Sequence, residues 1–308
     1  MKRAWGLLIG WVLLASQSGL PAAETFRIAT YNIENYLDRA TESRPNLKSA
    51  ASRAKVCESI RAAKPDVLAV QEIGNTNALL ELQAALRREG VDLPYWEHVA
   101  GFDTNIFVAV LSRFPIVARR PHTNETFLLS GRRFRVSRGF AEVDIKVAPN
   151  YSVTLITCHL KSKRPSGYGD EGEQRLEEAR ILRRIVDANL SKNPNVNLIV
   201  LGDLNDTKDS PPVKTVIGRG RTKLVDTRPA ERNGDDIPAI APSTEPRRVT
   251  WTHYYAAEDS YSRIDFMLLS PGLSREWVKE DSWIVTVPNW GRGSDHRPIV
   301  ATFLIGDR

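Results

Sequence analysis

The sequence predicts an α+β fold in which two β-sheets pack face to face, with helices covering the outer side of each. Continuously apolar runs at 67–70, 153–157 and 198–201 read as strands buried on both faces. The segment Ala141-Glu142-Val143-Asp144-Ile145-Lys146-Val147 instead alternates strictly, as a strand with one wet face does. Longer stretches with apolar residues at helical spacing alternate with these runs. Two stacked sheets flanked by helices accommodate both kinds of strand.

Taken in order, the chain begins with Met1-Lys2-Arg3 and an apolar stretch from Ala4 to Ala15, the charged head and short core of an export signal. That stretch is too short for a comfortable transmembrane helix, and no later run is long enough to span a bilayer. Small residues up to Ala23 place cleavage near there, although Pro21 sits awkwardly close to the cut. Residues 1–23 are therefore expected to be a signal peptide and 24–308 a single domain, exported to a periplasmic or extracellular setting and not inserted in a membrane afterwards.

The run from Phe26 to Tyr31 reads as the first strand, closed by Asn32. Lys48 to Ala63 reads as a helix, with Val56, Ile60 and Ala63 on one face. Asn77 suits the cap of a second helix bearing Leu79, Leu82 and Leu86, and Gly90 suits its exit. A third runs from Glu173 to Leu190, with Glu177, Glu178, Arg180, Arg183 and Arg184 expected on a solvated face. Residues 163–172 and 228–247 are rich in Gly, Pro and charge and read as mobile surface loops. There is no internal repeat and no domain linker.

Composition narrows the class. A chain of 308 residues with 42% hydrophobic and 26% charged residues can build a full core. The net charge of +6 favours an anionic partner, nucleic acid or a phospholipid surface. Only Cys57 and Cys158 are present, one in a helical stretch and one in an apolar strand. Both read as buried small hydrophobes rather than a bridge or a zinc site.

Chemistry-bearing side chains recur at strand ends. Asn32, Gln71-Glu72, Cys158-His159-Leu160-Lys161, Gly202-Asp203-Leu204-Asn205, Arg263-Ile264-Asp265 and Ser294-Asp295-His296-Arg297-Pro298 each begin or end an apolar run. Glu72 is a hard oxygen donor that suits Mg²⁺, with Mn²⁺ as a substitute, though a strand-end carboxylate also caps turns. Asp203 and Asn205 are two apart and can point the same way, yet Gly-Asp-x-Asn is also an ordinary Asx turn. Asp265 beside His296 would raise the imidazole pKa and fix its tautomer. His159 alone reads as a satisfied core histidine. Asp103 and Asn105 are candidates for its orienting partner.

This set of segments, in this order and over roughly Phe26 to Leu304, resembles the endonuclease/exonuclease/phosphatase superfamily, the DNase I-like enzymes. The resemblance implies a four-layer α/β/β/α sandwich and metal-dependent phosphoester hydrolysis. It implies that Glu72, with Asn32 and Asp295 close by, holds the metal ion. It implies that Asp203 orients or deprotonates water, that Asn205 binds a phosphate oxygen, and that His296 with Asp265, and His159 across from them, flank the scissile phosphate. Arg138 falls where deoxyribonuclease-like members place a phosphate-binding arginine, and Lys161 is a second candidate substrate contact. Trp290 and Arg292, just ahead of Ser294, are candidates for a lip that touches substrate, whereas Trp251 reads as core. Arg119, Arg120, Arg132, Arg133 and Arg135, interleaved with Phe127 and Phe134, read either as a track for a nucleic-acid backbone or as a solvated basic hairpin.

Departures from relatives sharpen the expectation. Asp206-Thr207 and Ser262-Arg263 stand where inositol-phosphate phosphatases carry an arginine and a Cys-Asp-Arg-Ile element. The His159-Leu160-Lys161-Ser162 segment is not usual in abasic-site endonucleases. Together with Asn32–Tyr36 and Arg175–Ala179, it looks like secreted bacterial nuclease-type members. The expected protein is a monomeric, exported, Mg²⁺-dependent phosphodiesterase acting on nucleic acid, DNA in the first instance. The rivals are a phosphoesterase on lipid or a small molecule, and a non-catalytic binding protein on the same fold.

Overall fold

Strand alternation sorts the apolar side chains of this computed structural model into three cores, and these define four layers. The structure describes residues 24–165, 167, 169–232 and 248–306. The expected signal peptide and residues 233–247 of the second loop lie outside the described residues.

The elements run β1 (Thr25–Tyr36), α1 (Ala50–Ala63), β2 (Val67–Ile73), α2 (Thr76–Arg88), β3 (Tyr95–Val99), β4 (Phe107–Ser112), β5 (Ile116–His122), β6 (Thr126–Leu129), β7 (Arg132–Arg135), β8 (Phe140–Ala148) and β9 (Tyr151–His159). They continue with α3 (Glu171–Lys192), β10 (Leu198–Asp203), α4 (Pro211–Ile217), β11 (Val225–Asp226), β12 (Ala230–Glu231), β13 (His253–Tyr255), β14 (Ser260–Ser262), β15 (Asp265–Leu269), β16 (Trp277–Ile284) and β17 (Ile299–Leu304). One sheet has the order β12-β16-β17-β1-β2-β4-β3 and the other β11-β15-β10-β9-β8-β5, each mixing parallel and antiparallel pairs. Hairpins β6–β7 and β13–β14 stand apart from both.

Between the sheets, Ile28, Val67, Ala69 and Val110 face Val143, Leu155, Ile199, Leu201 and Met267. The alternate residues of the first sheet, Ala29, Tyr31, Leu68 and Val70, face outward onto Val56 and Ile60 of α1 and Leu79, Leu82 and Leu86 of α2. Ile156, Cys158, Leu198 and Val200 of the second sheet pack on Leu182, Val186 and Leu190 of α3 and on Val213 of α4. This is the expected α/β/β/α sandwich. Cys57 and Cys158 are free, buried, and in different cores. The apolar interface between the sheets is pinned by polar groups at Gln71, whose Nε2 donates to Thr157 Oγ1 across it at 3.0 Å and to Thr30 Oγ1 at 3.0 Å.

Several expectations need correction. Asn75 caps α2, accepting from the Asn77 and Ala78 amides, so Asn77 lies inside the helix. Helix α3 begins two residues early because the Asp170 side chain caps it, accepting from Glu173 N–H at 2.7 Å. Two of its charges are not solvated: Glu178 and Arg183 are buried. Arg183 donates to the carbonyls of Val216, Ile217 and Thr222, fastening α4 and the turn after it. Part of the expected loop after 228 is ordered as β12, paired with β16.

The polar face of β8 is covered at Glu142, half-buried at Asp144 and wet at Lys146. Glu142 is buried and accepts from Arg120 Nε at 2.6 Å and Asn189 Nδ2 at 3.0 Å, with His122 Nε2 2.8 Å away, while Arg120 also forks onto Asp144. Burial alone would raise the Glu142 pKa, but the bonds from His122, Arg120 and Asn189 outweigh it and hold the carboxyl at about 2. The bond to Glu142 in turn raises His122 above its ordinary 6.5. The signs set a window. The Glu142 contribution to stability is present above its ordinary 4.5 and is lost as pH falls toward 2. The His122 contribution is present below 6.5 and is lost as pH rises through its raised value. Glu142→Gln should therefore lower the Tm most between these limits, and the deficit should shrink toward pH 3 (about) in thermal unfolding scans. A deficit that does not vary with pH would show that packing, not charge, is what Glu142 contributes.

Candidate active site

Register brings the site together. Asp203, at the end of β10, is level with His159 of β9 on one side and Asp265 of β15 on the other. Gly202 permits this close pairing: its φ is +128°, and a Cβ there would lie 2.1 Å from the Cys158 carbonyl oxygen. The Asx turn anticipated after it is present, with Asn205 N–H donating to Asp203 Oδ1 at 2.7 Å and Asn205 Nδ2 to the Leu160 carbonyl at 2.9 Å. The turn sets Asn205 at the pocket edge.

From the opposite sheet comes Glu72. Its φ is +62°, and the pairing of β2 with β4 shifts register between Gln71 and Ile73, so Glu72 sits at a bulge that re-aims its side chain. Glu34, Asn35 and Asn205 also have positive φ. Non-glycine residues in that region cost on the order of 1–3 kcal/mol each and gather where surrounding structure over-determines them, as around functional sites. Here Asn35, Glu72 and Asn205 line one cavity. Glu72 Oε2 accepts from Asn35 N–H at 3.0 Å and Oε1 from Asn32 Nδ2 at 3.3 Å.

The Ser294-Asp295-His296 segment is fastened from below. Ser294 Oγ donates to the Asn32 carbonyl at 2.7 Å and accepts from His296 N–H at 3.0 Å. His296 Nδ1 lies 2.8 Å from Asp265 Oδ2, both groups being buried. Burial works against the imidazolium, but the charge and hydrogen bond of Asp265, then Asp203 and Asp295, hold His296 well above its ordinary pKa. His159 goes the other way: burial, then the charges of Arg138, His296 and Arg44, keep it neutral. Asp203 Oδ2 lies 3.5 Å from His159 Nε2 and 3.8 Å from His296 Nε2, with Asn32 Nδ2 donating to it at 3.1 Å. Burial, and then repulsion from Asp265, push Asp203 up to about 7. A group poised there suits proton transfer near neutrality.

All of this opens into a cavity of about 800 Å³ lined by Glu72, Arg138, His159, Asp203, Asn205, Asp295 and His296. The expected metal ligands divide on inspection. Glu72 and Asp295 open into the cavity, their side chains 18% and 42% exposed, and among the described residues neither is paired with lysine or arginine. Hard carboxylate oxygens with no lysine or arginine partner fit a divalent cation of the Mg²⁺ kind. Asn32 is buried behind them. Its side-chain nitrogen bridges Glu72 and Asp203 and its Oδ1 accepts Glu34 N–H at 3.0 Å, so it positions both carboxylates.

Other expectations are corrected. Neither Asp103 nor Asn105 orients His159. Asp103 Oδ1 accepts from the Asn105 and Ile106 amides, and its Oδ2 faces Arg44 and Arg138. His159 Nδ1 has no hydrogen-bond partner among the described residues. Lys161 does not reach the cavity with its ammonium, which donates to the Ser162 and Arg164 carbonyls. Trp290 is no lip: it packs 5.4 Å from Trp251, whose ring lies 3.3 Å from the Arg297 guanidinium. Arg292 is exposed and outside the cavity lining. The basic stretch splits, since Arg119 pairs with Glu97 and Arg120 with Glu142 and Asp144, while Arg132, Arg133 and Arg135 stay exposed on the β6–β7 hairpin. Phe127 and Phe134 stack on each other at 5.6 Å against the α3 side.

Three residues were missed. His253 and Tyr255 of β13 line the cavity, the His253 ring lying 4.5 Å from that of His296 and its Nε2 3.5 Å from Asp295. The chain has 5 histidines, so a census of them would have flagged this one. Arg44 also lines the cavity, from irregular chain after β1, and nothing in the local pattern marks it.

Comparison with known proteins bears on the fold and the family. No curated protein matches the sequence. Beta toxin from Staphylococcus aureus superposes with a TM-score of 0.62 at 17% identity, covering 90% of this chain and 99% of its own. A further beta toxin structure, 18% identical with a TM-score of 0.56 and coverage of 90% and 99%, contains bound magnesium ions. Truncated TDP2 from Caenorhabditis elegans gives 0.57 at 16% identity, covering 91% and 97%, and sphingomyelinase C from Streptomyces griseocarneus gives 0.54 at 19%, covering 91% and 99%. At these identities the likeness establishes the DNase I-like fold. The family profile goes further, matching residues 29–296 as Endonuclease/Exonuclease/phosphatase family, and so the chain belongs to that family of metal-dependent phosphoester hydrolases.

Proposed function

We propose that the chain is an exported, Mg²⁺-dependent phosphodiesterase that hydrolyses nucleic acid, DNA in the first instance. The observation that carries this choice of substrate is the charge of the cavity. Arg44, Arg138, Lys163 and Arg164 line it together with the carboxylates and histidines. A polyanion meets this wall favourably, whereas the cationic headgroup of a choline lipid does not. The net charge of +6 and the exposed Arg132 and Arg133 add to the same preference. Export rests on the leader pattern, and no helix among the described residues is long and apolar enough to cross a membrane. A monomer is part of the same proposal.

The hydrolytic reading assigns each residue a task. Glu72 and Asp295 would hold the divalent cation, whose chemistry when bound is Lewis-acid neutralisation of phosphate oxygens. Asp203 accepts the proton of the attacking water, and Asn32 holds its carboxylate in place. Neutral His159, 3.5 Å from Asp203, orients the same water or a phosphate oxygen. His296, kept protonated by Asp265, faces the charge that builds on the phosphoryl oxygens and can give its Nε2 proton to the leaving oxygen. Asn205 offers its amide edge to a phosphate oxygen.

The rival lipid reading is supported by the likeness to sphingomyelinase C. A direct contest decides between them. The purified protein with Mg²⁺ is given plasmid, linear DNA, RNA, sphingomyelin vesicles and bis(p-nitrophenyl) phosphate. The expected result is cleavage of DNA and of the chromogenic diester, with DNA cleavage falling steeply with salt. Faster turnover of sphingomyelin than of any nucleic acid would overturn the proposal.

A further inference from the structure

Helix α3 sends two buried charged side chains toward the active site, and the hydrolytic reading gives neither a task. Arg175 and Glu178 are 5% and 1% exposed and stand about one helical turn apart on the same face of the helix. Glu178 Oε1 accepts from Ser137 N–H at 2.8 Å and Ser137 Oγ at 2.6 Å, while its Oε2 accepts from Lys161 N–H at 2.6 Å. None of these donors is charged. A carboxylate buried on neutral donors is a costly way to dock a helix, since an apolar side chain such as Leu182 docks it with no charge to desolvate. What the carboxylate adds is direction, because it fixes two backbone amides. Arg175 completes the grip: its Nη1 donates to the Lys161 carbonyl at 2.9 Å and its Nε to Asp206 Oδ2 at 3.0 Å. Lys161 is thus held by both its N–H and its C=O from one helix.

We propose that Arg175 and Glu178 are positioning residues for phosphodiester hydrolysis, acting through the backbone of the three segments that carry Arg138, His159 and Asn205. The proposal rests on the hydrolytic reading of the cavity and adds two residues that do not line it. The Leu160–Lys161 peptide is the hub. Leu160 follows His159 directly, and its N–H donates to the Asp203 carbonyl at 3.0 Å. Its own carbonyl accepts from Asn205 Nδ2 at 2.9 Å and from Arg138 Nη1 at 3.3 Å. The next residue is the one gripped by the helix. Ser137 and Asp206, the other two contacts, are the immediate neighbours of Arg138 and Asn205. Each of those two side chains is therefore set twice, at its own stretch of backbone and at the carbonyl to which it donates. Glu72 and Asp295 stand outside this network, since they come from β2 and from the segment before β17, strands of the other sheet.

The test measures kcat, KM and the Mg²⁺ concentration for half-maximal rate on bis(p-nitrophenyl) phosphate, with thermal unfolding alongside. Glu178→Gln puts an amide nitrogen where one backbone N–H now finds an acceptor. It should lower kcat by about 10²-fold, the order that a misplacement of about 1 Å caused far from the chemistry can cost. The loss should fall on kcat rather than KM, because misplaced groups forfeit contacts made in the transition state, and the Mg²⁺ requirement should stay at its wild-type value. Arg175→Lys reaches either the Lys161 carbonyl or Asp206 but not both, and should keep part of the rate. In the double variant the losses should be less than multiplicative, as both side chains act on Lys161. A lower Tm with wild-type kcat in the folded variants would overturn the proposal and leave the pair a helix-docking device. A raised Mg²⁺ requirement accompanying the loss would overturn it too, because the damage would then have reached the carboxylates of the other sheet. Should Glu178→Gln not fold, Arg175→Lys and Ser137→Ala, which removes only the hydroxyl bond to Glu178, decide alone: full kcat in both overturns the positioning role. A wild type that cleaves no phosphodiester sinks the hydrolytic reading and the positioning role with it, an outcome distinct from an active wild type with fully active variants.

Discussion

Glu72→Ala is expected to lower turnover by about 10³-fold, and excess chelator should do the same to the wild type, with recovery on adding Mg²⁺ or Mn²⁺. The magnitude follows from what the carboxylate does. Glu72 lines the cavity without a lysine or arginine partner among the described residues, so removing it takes away one of the two carboxylates proposed to hold a divalent cation. It is also a centre of organisation, accepting from Asn35 N–H and Asn32 Nδ2. Glu72→Gln separates these roles. It keeps an acceptor of the same shape but loses the charge, so it should retain the fold and a wild-type Tm while needing far more Mg²⁺ for half-maximal rate. Full turnover of either variant in chelator would show that hydrolysis here needs no cation at Glu72.

Most of the architecture was legible because burial is periodic. The runs at 67–70 and 198–201 are apolar at every position since each strand meets the opposite sheet on one face and helices on the other. Strand ends were legible too, because polar residues closing such runs must lie at a sheet's rim. That rim is where Asp203, His159 and Asp265 stand level. What pattern could not show is burial of charge by charge. Glu178, placed on the solvated face of α3 by its neighbours, instead accepts from Ser137 N–H, Ser137 Oγ and Lys161 N–H at 2.6–2.8 Å, tying the Arg138 and His159 segments to the helix. Glu142 looked wet for the same reason. A helical or strand repeat reports which residues share a face, not what covers that face.

The missed members of the cavity have a common cause. Arg44 and His253 lie where local periodicity carries no information: an irregular stretch after β1 and a three-residue strand. The position of His253 is set by a long-range bridge to His296, and that of Arg44 by a tight local bridge to Thr41 that no periodic pattern marks. Lys161, Trp290 and Arg292 failed in the opposite direction. Proximity in sequence to His159 and His296 suggested contact with substrate, but each side chain is directed elsewhere.

His296→Ala is expected to lower kcat by about 10²–10⁴-fold with little change in fold, because the imidazole stands at the sheet rim and its loss removes a proton donor and a positive charge at once. Asp265→Asn should follow it part of the way. The asparagine can still accept from Nδ1–H, but the charge that outweighs burial is gone. The sign of the pH effect is then fixed. In the wild type the imidazolium persists well above pH 6.5, so activity should not fall as pH rises through neutrality on this account. In Asp265→Asn the imidazole loses its proton at lower pH, and the alkaline limb of kcat should move down accordingly. A merely structural role for Asp265 would lower the rate without moving that limb. The double variant should be scarcely worse than His296→Ala alone, since two groups that act as one unit are not additive. Measuring both singles and the double on one minimal diester, across pH, settles the pairing. Losses that multiply would show that Asp265 and His296 act separately, and the 2.8 Å contact between them would then be structural only.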